Sequence, residues 1–252
     1  MINKNKRYVI ANWKMKLGHQ QSIDLAKELK KKYKGDEEVE LVVCPSASAL
    51  SAVGEIFKSS PIKLGAQDIF YHDFGAYTGQ ISPAVAREVG CEYVIVGHSE
   101  ARKLGETDED VNRKIVTALK NNLTPIVCVG ETFREYEEKK TELVIVAQVT
   151  KALEDIKLND GQKIIIAYEP VWVIGSGQAV DHNIFQHIVQ IIAHTAVEIG
   201  AALANKFEVI YGGSVDEENV SEFIMGNIST GVIVGNNSLE ADKLIKILNN
   251  IR

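Results

Sequence analysis

The chain has 252 residues, 45% hydrophobic and 25% charged, with a formal net charge of −6 at pH 7. That composition fits a soluble globular protein with a substantial core, arranged as two ordinary domains or as one large α/β barrel. The acidic balance argues against a nucleic-acid binder or a protein held on anionic membranes, and no apolar run approaches the roughly 18 residues of a spanning helix.

The polar start, Met1-Ile2-Asn3-Lys4-Asn5-Lys6-Arg7, predicts no secretory leader and runs into a first strand over 8–12. A helical pattern over 22–33 leads to strands over 40–44, 62–67 and 93–97. A helix over 108–121, with Asp108 as its N-cap, precedes a strand over 125–130. The charge run 134–140 predicts a solvated helical segment, followed by a helix over 143–156 and a strand over 163–169. A helix over 183–200 and a strand over 208–211 follow. Asp216 reads as a second N-cap, before a strand over 231–234 and a helix over 240–251. Strands apolar on both faces that alternate with helices belong to parallel sheets. Eight strand starts between Tyr8 and Gly231 average about 32 residues apart, the length of a β-plus-α unit. One (β/α)8 barrel over residues 1–252, a single domain, explains that count, and a doubly wound open sheet is the alternative. Cys44, Cys91 and Cys128 have neither metal-ligand spacing nor even pairing. No metal site is expected, and free thiols in apolar strands fit a reducing cytoplasm.

The stretch Ala167-Tyr168-Glu169-Pro170-Val171-Trp172-Val173-Ile174-Gly175-Ser176-Gly177 is the most informative. Pro170 biases Glu169 toward extended geometry at the end of a buried strand. Four large apolar residues then occupy a connection, and Gly175 and Gly177 make its far end pliable. A carboxylate beside such a flap suggests a base enclosed when a ligand binds; a packed strand end with an apolar turn is the other reading. On a barrel, chemistry belongs at the carboxyl ends of the strands. Asn12-Trp13-Lys14, Gly97-His98-Ser99-Glu100, Glu169, Tyr211-Gly212-Gly213-Ser214 and Gly235-Asn236-Asn237-Ser238 all fall there. Singly, the histidine reads as structural, the lysine as surface and the glycine pair as a turn. Together they supply an electrophile, a base, a cation and two turns able to aim N–H groups at a phosphate.

Read with Asn12-Trp13-Lys14-Met15, Gly65-Ala66-Gln67, Gly75-Ala76-Tyr77-Thr78-Gly79, Gly105-Glu106-Thr107-Asp108 and Cys128-Val129-Gly130-Glu131, those segments resemble the triosephosphate isomerase family across residues 12–239. The resemblance implies a TIM-barrel fold and an aldose–ketose isomerase. Such an enzyme interconverts dihydroxyacetone phosphate and D-glyceraldehyde 3-phosphate through a cis-enediolate, in glycolysis and gluconeogenesis. It implies Glu169 as base, His98 as electrophile, and Asn12 and Lys14 as substrate-binding catalytic groups. Gly175, Ser214, Gly235 and Asn236 would hold the phosphate, with Glu100 and Cys128 in support. No cofactor or metal is implied, and Thr78 would reach a second subunit of a homodimer. Several positions depart from the family pattern. Lys16 and Asn236 stand where asparagine and glycine are usual. Gln80 and Ala101 replace a glutamate and arginine that pair between subunits; Glu208 and Thr230 replace another pair; and Val173, Ser176 and Gln178 vary the flap. Losing both members of a pair avoids a lone buried charge, and asparagine at 236 tolerates unusual backbone angles. The rival functions are an isomerase of a four-carbon sugar phosphate and a barrel kept for binding alone.

Overall fold

The computed structural model describes residues 6–176, 178–200, 203, 206–226 and 229–251; Met1 to Asn5 of the polar start and Gly177 of the flap lie outside them. The β-branched runs form eight strands: β1 Arg7–Asn12, β2 Val39–Cys44, β3 Lys63–Ala66, β4 Cys91–Val96, β5 Thr124–Val129, β6 Ile164–Tyr168, β7 Phe207–Tyr211 and β8 Gly231–Val234. All pair in parallel with their sequence neighbours, and β8 returns to β1 with Tyr8 opposite Gly231. The barrel is therefore closed, which removes the doubly wound alternative along with every exposed sheet edge.

The long helices arise where the amphipathic patterns predict them: α1 His19–Lys32, α5 Asp108–Lys120, α7 Thr141–Leu153, α8 His182–Ile199 and α9 Ala241–Asn250. Of four shorter ones, α2 Leu50–Phe57 and α3 Pro83–Glu88 fill the second and third connections, while α4 Ser99–Lys103 precedes α5 and α6 Phe133–Glu137, at the start of the charge run, precedes α7. One or two turns do not establish a 3.6-residue period, so α2, α3 and α4 leave little signal in sequence. Both expected N-caps are displaced. Thr107 caps α5, its hydroxyl accepting from the Asp110 N–H while the Asp110 carboxylate accepts from the Thr107 N–H. Asp108 sits one residue inside and pairs with Arg102. Asp216 accepts from the Glu218 and Asn219 N–H groups and caps a turn ahead of the 3₁₀ segment Val220–Phe223, not a helix.

The period-two geometry of strands splits the core in two. Ile10, Val42, Ile95, Ile126, Ile165, Ile210 and Ile233 fill the barrel, while Val9, Leu41, Val94, Val127, Ile166 and Val209 face outward beneath the helices. At the amino-terminal end the interior becomes polar. Tyr93 donates to Glu40 and Lys163 donates to Tyr8. Burial pushes the Glu208 carboxyl above its usual range and the Lys163 ammonium below its own. The two departures from the family pair at 208 and 230 thus leave the Thr230 hydroxyl donating to the Val209 carbonyl at 3.5 Å, with Lys163 as the cation near Glu208. All three cysteines are buried and free, and burial raises the Cys91 thiol to about 12. Among the described residues, no helix is long and apolar enough to cross a membrane.

Candidate functional site

Asn12 is the last residue of β1, His98 stands two residues beyond β4, and Glu169 directly follows β6. Parallel strands bring all three to one end of the barrel, where they line a cavity of about 230 Å³ with Lys14, Gly175, Ser214, Gly235 and Asn236. Every residue expected at the site is therefore on one wall or another of this cavity. Its volume lies below the roughly 300–1,000 Å³ of drug-sized sites, which suits a small ligand.

Lys14 adopts φ 51°, a left-handed conformation uncommon for a residue with a side chain. Three hydrogen bonds hold it there. Its N–H donates to Asn12 Oδ1 at 3.0 Å, and Gln67 Nε2 donates to the Lys14 carbonyl at 2.8 Å and the Cys44 carbonyl at 2.9 Å. Lys14 Nζ then lies 2.9 Å from Glu100 Oε1. His98 caps α4: its Nδ1 accepts from the Glu100 N–H at 3.1 Å. In the neutral ring that bond puts the proton on Nε2, the nitrogen 3.3 Å from Glu169 Oε1.

Glu169 is only 2% exposed. Its Oε2 accepts from the Ser99 N–H at 3.4 Å, and its own N–H donates to the Val129 carbonyl at 2.7 Å. Two glycines make this position possible. A Cβ at Gly130 would sit 1.8 Å from the Glu169 carbonyl oxygen, and one at Gly212 would sit 2.6 Å from Glu169 Cγ. Cys128 lies beside the carboxylate; burial, helped by Glu169, pushes its thiol well up. Among the described residues no group of three or more histidine, cysteine or acidic side chains is placed to hold a metal.

The flap is fastened on both flanks. Trp172 Nε1 donates to Glu131 Oε1 at 2.7 Å, Tyr168 donates to both Glu131 oxygens at 3.2 Å, and Trp172 stacks on Tyr136. Beyond it, the Val180 N–H donates to the Tyr211 hydroxyl at 3.1 Å. Between these anchors Ser176 Oγ donates to the Val173 carbonyl and accepts from the Gln178 N–H, so the hydroxyl organises the turn. Ile174 and Gly175 face the cavity, and Gly175 adopts φ 75°. Burial pushes the Glu131 carboxyl above its usual range, opposed by these donors. Sequence reasoning gave Gln67, Ser99 and Glu131 no individual role. An acidic residue two positions beyond an apolar strand is the one hint that could have flagged Glu131, which is fully buried. Replacing it by alanine leaves the buried Tyr168 hydroxyl and the Trp172 indole without their acceptor. We expect about 2 kcal/mol of lost stability, together with altered Trp172 emission in a Trp13→Phe background. Denaturant unfolding and fluorescence measure both.

Asn236 takes no left-handed φ; among the described residues the non-glycine positions that do are Lys14, Asn122, Lys139 and Asp155. Tolerance of unusual backbone angles is therefore not what suits asparagine to this turn.

Fold and cavity together define a (β/α)8-barrel enzyme with its site at the carboxyl ends of the strands. The family model for triosephosphate isomerase matches residues 7–251. Relatives named triosephosphate isomerase include one from Thermoanaerobacter sp. (strain X514), 41% identical over 97% of this chain and 99% of the relative. That from Endomicrobium trichonymphae is 42% identical over 96% and 98%, and that from Dictyoglomus turgidum 40% identical over 93% and 95%. The chain belongs to the triosephosphate isomerase family.

Proposed function

We propose that this protein interconverts dihydroxyacetone phosphate and D-glyceraldehyde 3-phosphate, acting as one domain over residues 1–252 and without a cofactor. The observation that carries this reading is the meeting of Glu169 and His98 Nε2 at 3.3 Å on the wall of a small cavity that also holds Lys14. Glu169 takes a proton from the carbon next to the substrate carbonyl. The electron pair moves onto the carbonyl oxygen, where His98 Nε2–H and the Asn12 amide donate to the developing enediolate and Lys14 offsets its charge. Glu169 then returns the proton to the neighbouring carbon. Meanwhile His98 Nε2 gives its proton to the former carbonyl oxygen and recovers one from the former hydroxyl, which becomes the new carbonyl. Base, electrophile and substrate end balanced, with no net redox change. The Ser99 N–H and His98 that now engage Glu169 hold the carboxylate at the cavity until substrate arrives. The turns at Ser214 and at Gly235–Asn236, with Gly175 from the flap, receive the phosphate. Closure of the flap would exclude water, which strengthens the base and protects the intermediate.

The working unit is a homodimer in the cytoplasm, serving glycolysis and gluconeogenesis, with no nucleic-acid or membrane partner. Its support is two large apolar side chains that a monomer would leave wet, Met15 at 93% exposure and Phe74, next to the exposed loop carrying Thr78 and Gln80, at 75%. Thr78 of a second subunit would meet the Asn12–Lys14 loop. Light scattering should give twice the chain mass; a fully active monomer would remove this part of the proposal. A coupled isomerase assay comparing three- and four-carbon ketose phosphates tests the function, and preference for the four-carbon substrate, or turnover of neither, would refute it.

A further inference from the structure

Two departures from the family pattern meet in space. Lys16, in the loop after β1, donates from Nζ to Asn236 Oδ1 at 2.6 Å, although 220 residues separate them. Both line the cavity, as do Ser214, Gly175 and Gly235. Lys14 shares its charge with Glu100 at 2.9 Å, whereas Lys16 has no carboxylate within ion-pair distance among the described residues. The charged side chains lining the cavity are Lys14, Lys16, Glu100 and Glu169. Without Lys16 the wall would present one lysine against two carboxylates to a ligand that is itself a dianion. The partner at 236 matters in kind. An amide oxygen orients the ammonium without neutralising it, a carboxylate would cancel it, and a glycine would leave a flexible four-carbon stem to be ordered by the ligand alone.

We propose that Lys16 is a second cationic contact for the substrate's phosphate monoester, presented to it by Asn236. This rests on the proposed reading of the site as one for a triose phosphate. The ammonium acts on a group remote from the reacting carbons, so it stabilises ground and transition states alike and is felt in KM. Being exposed, it is screened by salt.

The test uses the full-length enzyme with inorganic phosphate as competitive inhibitor, at low and high ionic strength. Lys16→Met should weaken phosphate inhibition and raise KM by about five- to thirtyfold at low salt, with kcat within about twofold and the difference shrinking as salt rises. Lys16→Arg should restore most of the affinity, and Asn236→Gly should fall between wild type and Lys16→Met. Unchanged phosphate inhibition in Lys16→Met would overturn the proposal, as would a salt-independent change that merely follows lost thermal stability. Calorimetric titration with inorganic phosphate separates this inference from the function. Lys16-dependent phosphate binding in a wild type without isomerase activity would overturn the function and leave the anion contact standing. An active wild type indifferent to Lys16 would do the reverse.

Discussion

Glu169→Ala should lower kcat by about 10³-fold, the scale of a lost general base, while leaving the barrel folded. The expectation follows from what surrounds the carboxylate. Its oxygens meet the Ser99 N–H and His98 Nε2, both donors, and no cation or second carboxylate stands within ion-pair distance among the described residues. Lys14, the cation expected in the site, is paired with Glu100 instead. Of the two carboxylates that line the cavity, Glu100 is paired with Lys14, so truncating Glu169 removes the one carboxylate without a cationic partner. Stability should survive because the lost side chain lines a cavity that water can fill, and the Glu169 N–H still donates to the Val129 carbonyl. Glu169→Gln makes the sharper comparison. Its amide oxygen can still accept from Ser99, so packing and position are retained while basicity is gone. Steady-state turnover and thermal unfolding of the two variants should show equal collapse of kcat with near-native melting. Wild-type kcat in Glu169→Gln would end the assignment of Glu169 as the base.

What the sequence discloses here depends on how local each cause is. The strands are legible because their residues are buried on both faces, so a run such as Ile164-Ile165-Ile166 states its environment by itself. The rim is legible for the complementary reason: Glu169 or His98 beside such a run has no local justification. Where a one-residue choice between neighbouring caps is concerned, local reading fails, because Thr107 and Asp108 both suit an N-terminus and the reciprocal bond with Asp110 decides. Gln67 is illegible altogether. Its amide reaches carbonyls 53 and 23 residues away, and only the lateral pairing of β1, β2 and β3 brings them together. The same holds for Lys16 and Asn236, which read separately as two departures and together as one contact.

His98→Ala should cost about 10²–10³-fold in kcat, the range for removing one preorganised donor to a developing oxyanion. The histidine is suited to that task by its other nitrogen. Because Nδ1 accepts the Glu100 N–H at the start of α4, the ring is held in one orientation with Nε2–H toward the cavity, before any substrate is present. Alanine removes the donor and also the cap of a five-residue helix, which costs about 1 kcal/mol of stability. His98→Gln separates the two effects, since its amide nitrogen can donate to the substrate oxygen while its packing volume stays close to that of the ring. Gln should recover about tenfold of the lost kcat. The independent readout is the infrared carbonyl stretch of bound dihydroxyacetone phosphate. A donor 2.7–3.1 Å from the oxygen lowers that frequency, so the shift should be present in wild type, reduced in His98→Gln and absent in His98→Ala. A shift that persists in His98→Ala would move the electrophile's role to Asn12 or Lys14, the remaining donors on that wall. The double variant with Glu169→Ala should then be little slower than Glu169→Ala alone, because a donor to an enediolate contributes nothing when no base forms one.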